Sequence, residues 1–166
     1  MHIFVNTQEL VEHLMALKTT VSAESAKFFE LDHGLQCAAL LEKSDPADVE
    51  LQVAGLIHDL GKVMFLWGKD EDGTSLKEQW GLVGDIFLLG CRLPDTCIYP
   101  EFNAENPDMQ DARYNTEYGI YEPNCGLDNC LTAWGHDEYF YQVLKNHPEN
   151  KLPEAAMVMI RYHSFY

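Results

Sequence analysis

The stretch Ala54-Gly55-Leu56-Ile57-His58-Asp59-Leu60-Gly61-Lys62 decides how the rest of the chain is read. It sets an imidazole, a carboxylate and an amine within five consecutive positions of an otherwise apolar run. Burying an unpaired charge costs several kcal/mol or forces neutralisation. An adjacent His-Asp pair in so hydrophobic a helix therefore needs a partner, and one cation would serve both. His58 and Lys62 are four apart, on one helical face. Gly55, a turn before His58, removes a side chain where something must approach closely. The plainer alternative is a helix end, with Gly61 as C-terminal cap and Lys62 favourable at the negative end of the dipole.

Upstream, Val49, Val53, Leu56 and Leu60 form one apolar stripe of the helix that runs into His58-Asp59. Ser44-Asp45-Pro46 is a stop-and-turn signal, and Pro46 suits the first turn of that helix. Before it, Asp32 reads as the cap of a helix with Leu35, Ala38, Ala39 and Leu41 on its apolar face and His33 in its first turn. A first helix is expected from Thr7 to Lys18, carrying Leu10, Leu14 and Leu17. His13 there reads as a solvated residue.

Downstream, a short helix is expected over Val63–Trp67. From Gly68 to Gly135 the chain turns rich in Gly, Pro, Asp and Asn. Loops this long within a compact domain are usually functional. Short helices are expected near Tyr114–Tyr118 and Leu127–Trp134, with a small strand pair around Asp85 left open. Two better helices follow. One runs from His136 to His147 with Phe140, Val143 and Leu144 at helical spacing and stops at Pro148. The other starts at Pro153 and stacks Ala155, Met159 and His163.

The chain has 166 residues, 46% hydrophobic and 23% charged, the profile of one globular domain spanning 1–166. A formal charge of -16 repels phosphate backbones and anionic surfaces, so neither nucleic acid nor membrane is an expected partner. No apolar run approaches 18 residues, so no transmembrane helix is expected, and Met1–Asn6 reads as too short and uncharged for a signal peptide. The five cysteines are odd in number and lack C-x-x-C spacing. That favours a reduced, cytoplasmic setting with thiols as small core residues. A zinc site from Cys125 and Cys130 is disfavoured by their spacing.

His33, His58, Asp59, His136 and His163 thus fall at inward positions of four helices. Neutral imidazole with carboxylate suits iron, manganese or zinc. Asp59 offers one oxygen to each of two cations, the way a carboxylate bridges a pair about 3.5–4 Å apart. His33 and His58 would then serve one cation, His136 and His163 the other.

His33 followed by His58-Asp59-Leu60-Gly61-Lys62 is the pattern of helical HD domains. Further stretches are more specific. They are Gly84-Asp85-Ile86-Phe87 through Gly90-Cys91, Asn106-Pro107-Asp108, Arg113-Tyr114-Asn115-Thr116-Glu117-Tyr118-Gly119 and Asn124-Cys125-Gly126-Leu127-Asp128. Trp134-Gly135-His136-Asp137-Glu138-Tyr139 and Ile160-Arg161-Tyr162-His163-Ser164-Phe165-Tyr166 complete the set. In order and spacing, residues 30 to 166 resemble the myo-inositol oxygenase family.

The resemblance implies an all-α, HD-domain-type helical bundle with long irregular loops, holding a mixed-valent pair of iron ions. It implies use of O2 to cleave the C1–C6 bond of myo-inositol, giving D-glucuronate. His33, His58, Asp59, His136 and His163 would be iron ligands, with Asp59 bridging. Lys62 would contact the metal-bound substrate hydroxyl, and Gly84, Asp85 and Ser164 the remaining ones. An uncharged cyclic polyol must be oriented by chelation and convergent hydrogen bonds. Near two cations the Lys62 ammonium is expected to be disfavoured, so that it shares a proton with the bound alkoxide.

Three departures stand out. The family's sixth ligand, an aspartate well downstream of His-Ser-Phe-Tyr, has no counterpart before Tyr166. The acidic loop before the first histidine is replaced by Thr20-Val21-Ser22-Ala23, and the N-terminal lid is shortened. These lead us to expect a C-terminally incomplete form of a longer design. The rival readings are an HD-family oxygenase acting on an organophosphonate, an HD phosphohydrolase, and a non-catalytic family member.

Overall fold

The computed structural model describes residues 29–66, 68–75, 77, 86–97 and 99–165. The helix expected at Thr7–Lys18 lies outside them.

Helix α1 spans Phe29–Ser44. It begins before Asp32, because good helix formers precede that residue and no breaker intervenes. Asp32 is therefore not its cap, and His33 sits in the second turn rather than the first. The Ser44 hydroxyl and the Asp45 N–H both donate to the Leu41 carbonyl, at 3.0 and 2.8 Å, and close the helix. Pro46 lies in the connecting turn, not in the next helix as expected. Asp48 supplies the cap instead, its Oδ1 accepting from the Leu51 N–H at 2.8 Å. Helix α2 then covers Val49–Ile57.

At His58 the winding tightens into a 3-10 helix, His58–Leu66, which takes in Val63–Leu66 of the short helix expected over Val63–Trp67, Trp67 lying outside the described residues. A 3-10 run this long is uncommon and often marks a functional position. Three residues per turn eclipse positions three apart, so Lys62 stacks on Asp59 rather than on His58.

Helices α3 (His136–Lys145) and α4 (Glu154–Tyr162) complete the bundle. The core is drawn from α2, α3 and α4: Ala54, Leu56, Ile57, Phe140, Ala156 and Ile160 pack together. Burying each of the larger side chains contributes about 1.5–3 kcal/mol. The inward stripe of α4 is Ala156 and Ile160, with Met157 beside them. The expected Ala155 is exposed, one position out of phase.

Two glycines set how closely the elements approach. A Cβ on Gly34 would strike the Leu56 carbonyl, so α1 and α2 meet backbone to backbone. A Cβ on Gly61 would overlap the carbonyl carbon and oxygen of His136, so the 3-10 segment and the start of α3 touch directly. Gly61 is thus a contact glycine and not a helix cap. Gly61→Ala is expected to lower unfolding stability by about 2 kcal/mol. Urea denaturation checks this, and an unchanged midpoint would contradict the close contact.

Among the described residues between the 3-10 helix and α3 the chain is irregular, with only short 3-10 turns, as expected. The Tyr114–Tyr118 stretch forms turns rather than a helix, and the helix expected over Leu127–Trp134 shrinks to one 3-10 turn, Leu127–Asn129. Left-handed backbone at Gly119, Asn124 and Gly126 breaks helical continuity there. Asp85, around which a strand pair is left open, lies outside the described residues; among the described ones, single bridges join Ile86 to Phe165 and Leu88 to Thr132. They lash residues 86–88 to the chain just before His136 and just after His163. Among the described residues no helix is long and apolar enough to cross a membrane.

Candidate metal centre

Asp59 stands at the middle, its side chain 7% exposed. His136 Nε2 and His163 Nε2 face its Oδ1 at 3.1 and 3.3 Å. His58 Nε2 and His33 Nε2 face its Oδ2 at 3.4 and 3.8 Å. Lys62 Nζ donates to Oδ2 at 2.9 Å. One carboxylate therefore divides four imidazoles into two pairs, and the division follows its two oxygens. The rings also contact one another edge to face, with centroids 4.7–5.1 Å apart.

The four rings arrive from different places. His33 comes from the second turn of α1, His58 from the α2/3-10 junction, His136 from the first turn of α3, and His163 from just beyond α4. His33 is not inward as expected: half of its side chain is exposed, which puts it at the rim of the cluster. Gly84 and Asp85 lie outside the described residues. Ser164 adjoins His163, and its carbonyl accepts the Ile86 N–H at 2.9 Å.

Local backbone orients two of the rings. His58 Nδ1–H donates to the Gly55 carbonyl at 2.7 Å, and His163 Nδ1–H to the Ile160 carbonyl at 2.8 Å. In the neutral rings this leaves each Nε2 as a lone pair aimed at Asp59. Burial lowers the pKa of His58 against the opposing pull of Asp59. For His163 burial also pushes downward, but the bonds to Asp59 and Ile160 outweigh it and the value rises. Cation binding there would displace a proton.

The donor set fits cations. His136 Nε2 and His163 Nε2 lie 3.1 Å apart. Nitrogens that close are within reach of one ion bound at about 2.1 Å from each. His58, Asp59 and His163 each offer a ligand atom within 4.8 Å of the others, and so do His136, Asp137 and His163. His33, Cys37 and His58 make a third such group.

Three participants were not singled out from the sequence. Cys37 places its sulfur 3.7 Å from His33 Nε2. Asp137 is fully buried; its Oδ1 accepts the Glu138 N–H at 3.0 Å, its Oδ2 has no hydrogen-bond partner among the described residues, and burial raises its pKa. The available signal was its position three residues before Phe140, on the same inward face. Glu138 is buried and accepts from Arg161 Nε at 2.6 Å and from Gln142 Nε2 at 2.6 Å. The Arg161 guanidinium also stacks over Tyr141 at 4.5 Å. This pair ties α3 to α4 and so fixes His136 relative to His163. Glu138→Gln keeps the shape but removes the charge, and is expected to cost about 2 kcal/mol. A chemical-denaturation midpoint equal to wild type would show that the tie does not hold the helices.

Taken together, fold and site define a helical protein with a carboxylate-centred, imidazole-rich cluster suited to metal ions. The myo-inositol oxygenase family model matches residues 4–166, and the chain belongs to that family. It is 45% identical to inositol oxygenase of Mus musculus over 135 residues, 81% of this chain and 44% of that protein. Inositol oxygenase of Homo sapiens gives the same figures. Inositol oxygenase 1 of Arabidopsis thaliana is 43% identical over 137 residues, 82% of this chain and 42% of that protein. The chain thus spans less than half the length of the curated relatives it matches.

Proposed function

We propose that this chain, as a single HD-type domain, forms the di-iron part of an oxygenase that opens the ring of myo-inositol with O2 to give D-glucuronate. The observation that carries the reading is the partition of four imidazoles between the two oxygens of Asp59. Two irons, one held by His33 and His58 and one by His136 and His163 with Asp59 between, would supply O2 activation and Lewis acidity.

The chain's own residues do the remainder. Asp59 fixes both pairs of rings about one charge. Gly55 and Ile160 carbonyls hold the Nδ1 protons of His58 and His163, so that Nε2 stays available. Lys62 brings Nζ to the carboxylate edge, where it can hold or pass a proton to a substrate hydroxyl. Ser164, with Gly84 and Asp85, would orient the other hydroxyls of the polyol.

Metal analysis combined with oxygen uptake tests the reading. Iron near two per chain, with O2 consumed only when myo-inositol is added, is the expected outcome. Phosphate release from a nucleotide without O2 uptake would overturn it in favour of a phosphohydrolase.

A further inference from the structure

Cys125 and Cys130 flank the 3-10 turn Leu127–Asn129, and their sulfurs lie 3.6 Å apart. Both thiols approach one carbonyl, that of Gly126, at 3.6 and 3.5 Å. The turn is held by its own bonds. Asn129 N–H donates to the Gly126 carbonyl at 3.1 Å and Cys130 N–H to the Leu127 carbonyl at 3.0 Å. The Asn129 side-chain amide donates to the Cys125 carbonyl at 2.8 Å. Gly126, at φ 85°, makes the reversal. Backbone geometry, not an attraction between the thiols, therefore sets the sulfurs side by side.

The pair borders a cavity of about 270 Å³, lined also by Cys91, Tyr118 and Tyr121. Cys125 is half-buried and Cys130 buried. A soft-metal site would need at least one more donor close by. Among the described residues, no group of three or more ligand atoms within 4.8 Å of one another includes either sulfur. What the geometry offers is a dithiol.

We propose that Cys125 and Cys130 form a redox couple that closes to an intramolecular disulfide by exchange with a small-molecule disulfide. The Cys125 thiolate, the more accessible sulfur, attacks one sulfur of the external disulfide. A mixed disulfide forms, the external S–S bond breaks and one small thiolate leaves. Cys130 then attacks Cys125 sulfur, the mixed S–S bond breaks as the internal one forms, and the second small thiol departs with the Cys130 proton, the first having taken up the proton lost by Cys125. Two protein thiols are oxidised by two electrons and one external disulfide is reduced to two thiols. Burial raises the Cys130 thiol pKa, which disfavours it as the first attacking thiolate and leaves that step to Cys125. Closure would fix the turn that bears Asp128, whose carboxylate lies 3.8 Å from the Arg161 guanidinium.

The test titrates the purified chain with oxidised glutathione, blocks free thiols by alkylation, and reads each cysteine by peptide mass spectrometry. Cys125 and Cys130 are expected to lose alkylation together, bound to each other, while Cys37, Cys91 and Cys97 stay alkylated. Dithiothreitol should restore both. Cys130→Ser should instead accumulate glutathione on Cys125. Continued alkylation of both cysteines, pairing of Cys125 with Cys91, or stable glutathione on wild-type Cys125 would each overturn the proposal.

Discussion

Asp59→Ala is expected to strip the two proposed cations from the centre while the helices stay in place. Each carboxylate oxygen faces two imidazoles, so the substitution removes a donor from both halves at once. Losing only an outer-shell group typically costs about 10–100-fold in metal affinity. Loss of a shared charged ligand should exceed that for each ion. Iron should fall from about two per chain to a small fraction of one, read by elemental analysis after gel filtration. Far-UV circular dichroism should keep its helical signal, because the core of Ala54, Leu56, Ile57, Phe140, Ala156 and Ile160 is untouched. Full iron occupancy in this variant would remove Asp59 from the ligand set.

Lys62→Ala should separate binding of metal from turnover. Lys62 belongs to none of the groups of His, Cys and carboxylate side chains placed to ligate a cation, yet its Nζ reaches Asp59 Oδ2 at 2.9 Å, within the site. Iron content is therefore expected to match wild type. Inositol-dependent O2 uptake should drop by about 100-fold or more, the scale of a lost proton-transfer group. Turnover equal to wild type would exclude Lys62 from the chemistry, and loss of iron would make it a structural residue instead.

The legible part of the site was its composition. A His-Asp pair inside an apolar run, with histidines at helical register in three other segments, pointed to a shared cation before any packing was known. The paired grouping of His33 with His58 and of His136 with His163 was also expected, and the geometry brings the same pairs together. Less legible were the elements around them. The switch from α to 3-10 winding at His58 carries no strong propensity signal. It changes the partner of Lys62 from His58 to Asp59. The inward role of Asp137 and Glu138 was hidden because acidic residues in a first turn are equally explained by the helix dipole. The thiol contact between Cys125 and Cys130 depends on a left-handed Gly126, which no periodicity predicts.

By itself the sequence determined which residues could carry the chemistry and that four helical segments would have to supply them. Apolar spacing and charge are local properties, and a buried imidazole or carboxylate announces its need for a partner wherever it falls. Only the tertiary structure decided distances: backbone contact at Gly34 and Gly61 allows α1 to meet α2 and the 3-10 segment to meet α3. The Glu138–Arg161 tie then holds α4 against α3. Such approaches are sums of many weak, long-range contacts, and no single stretch of chain encodes them.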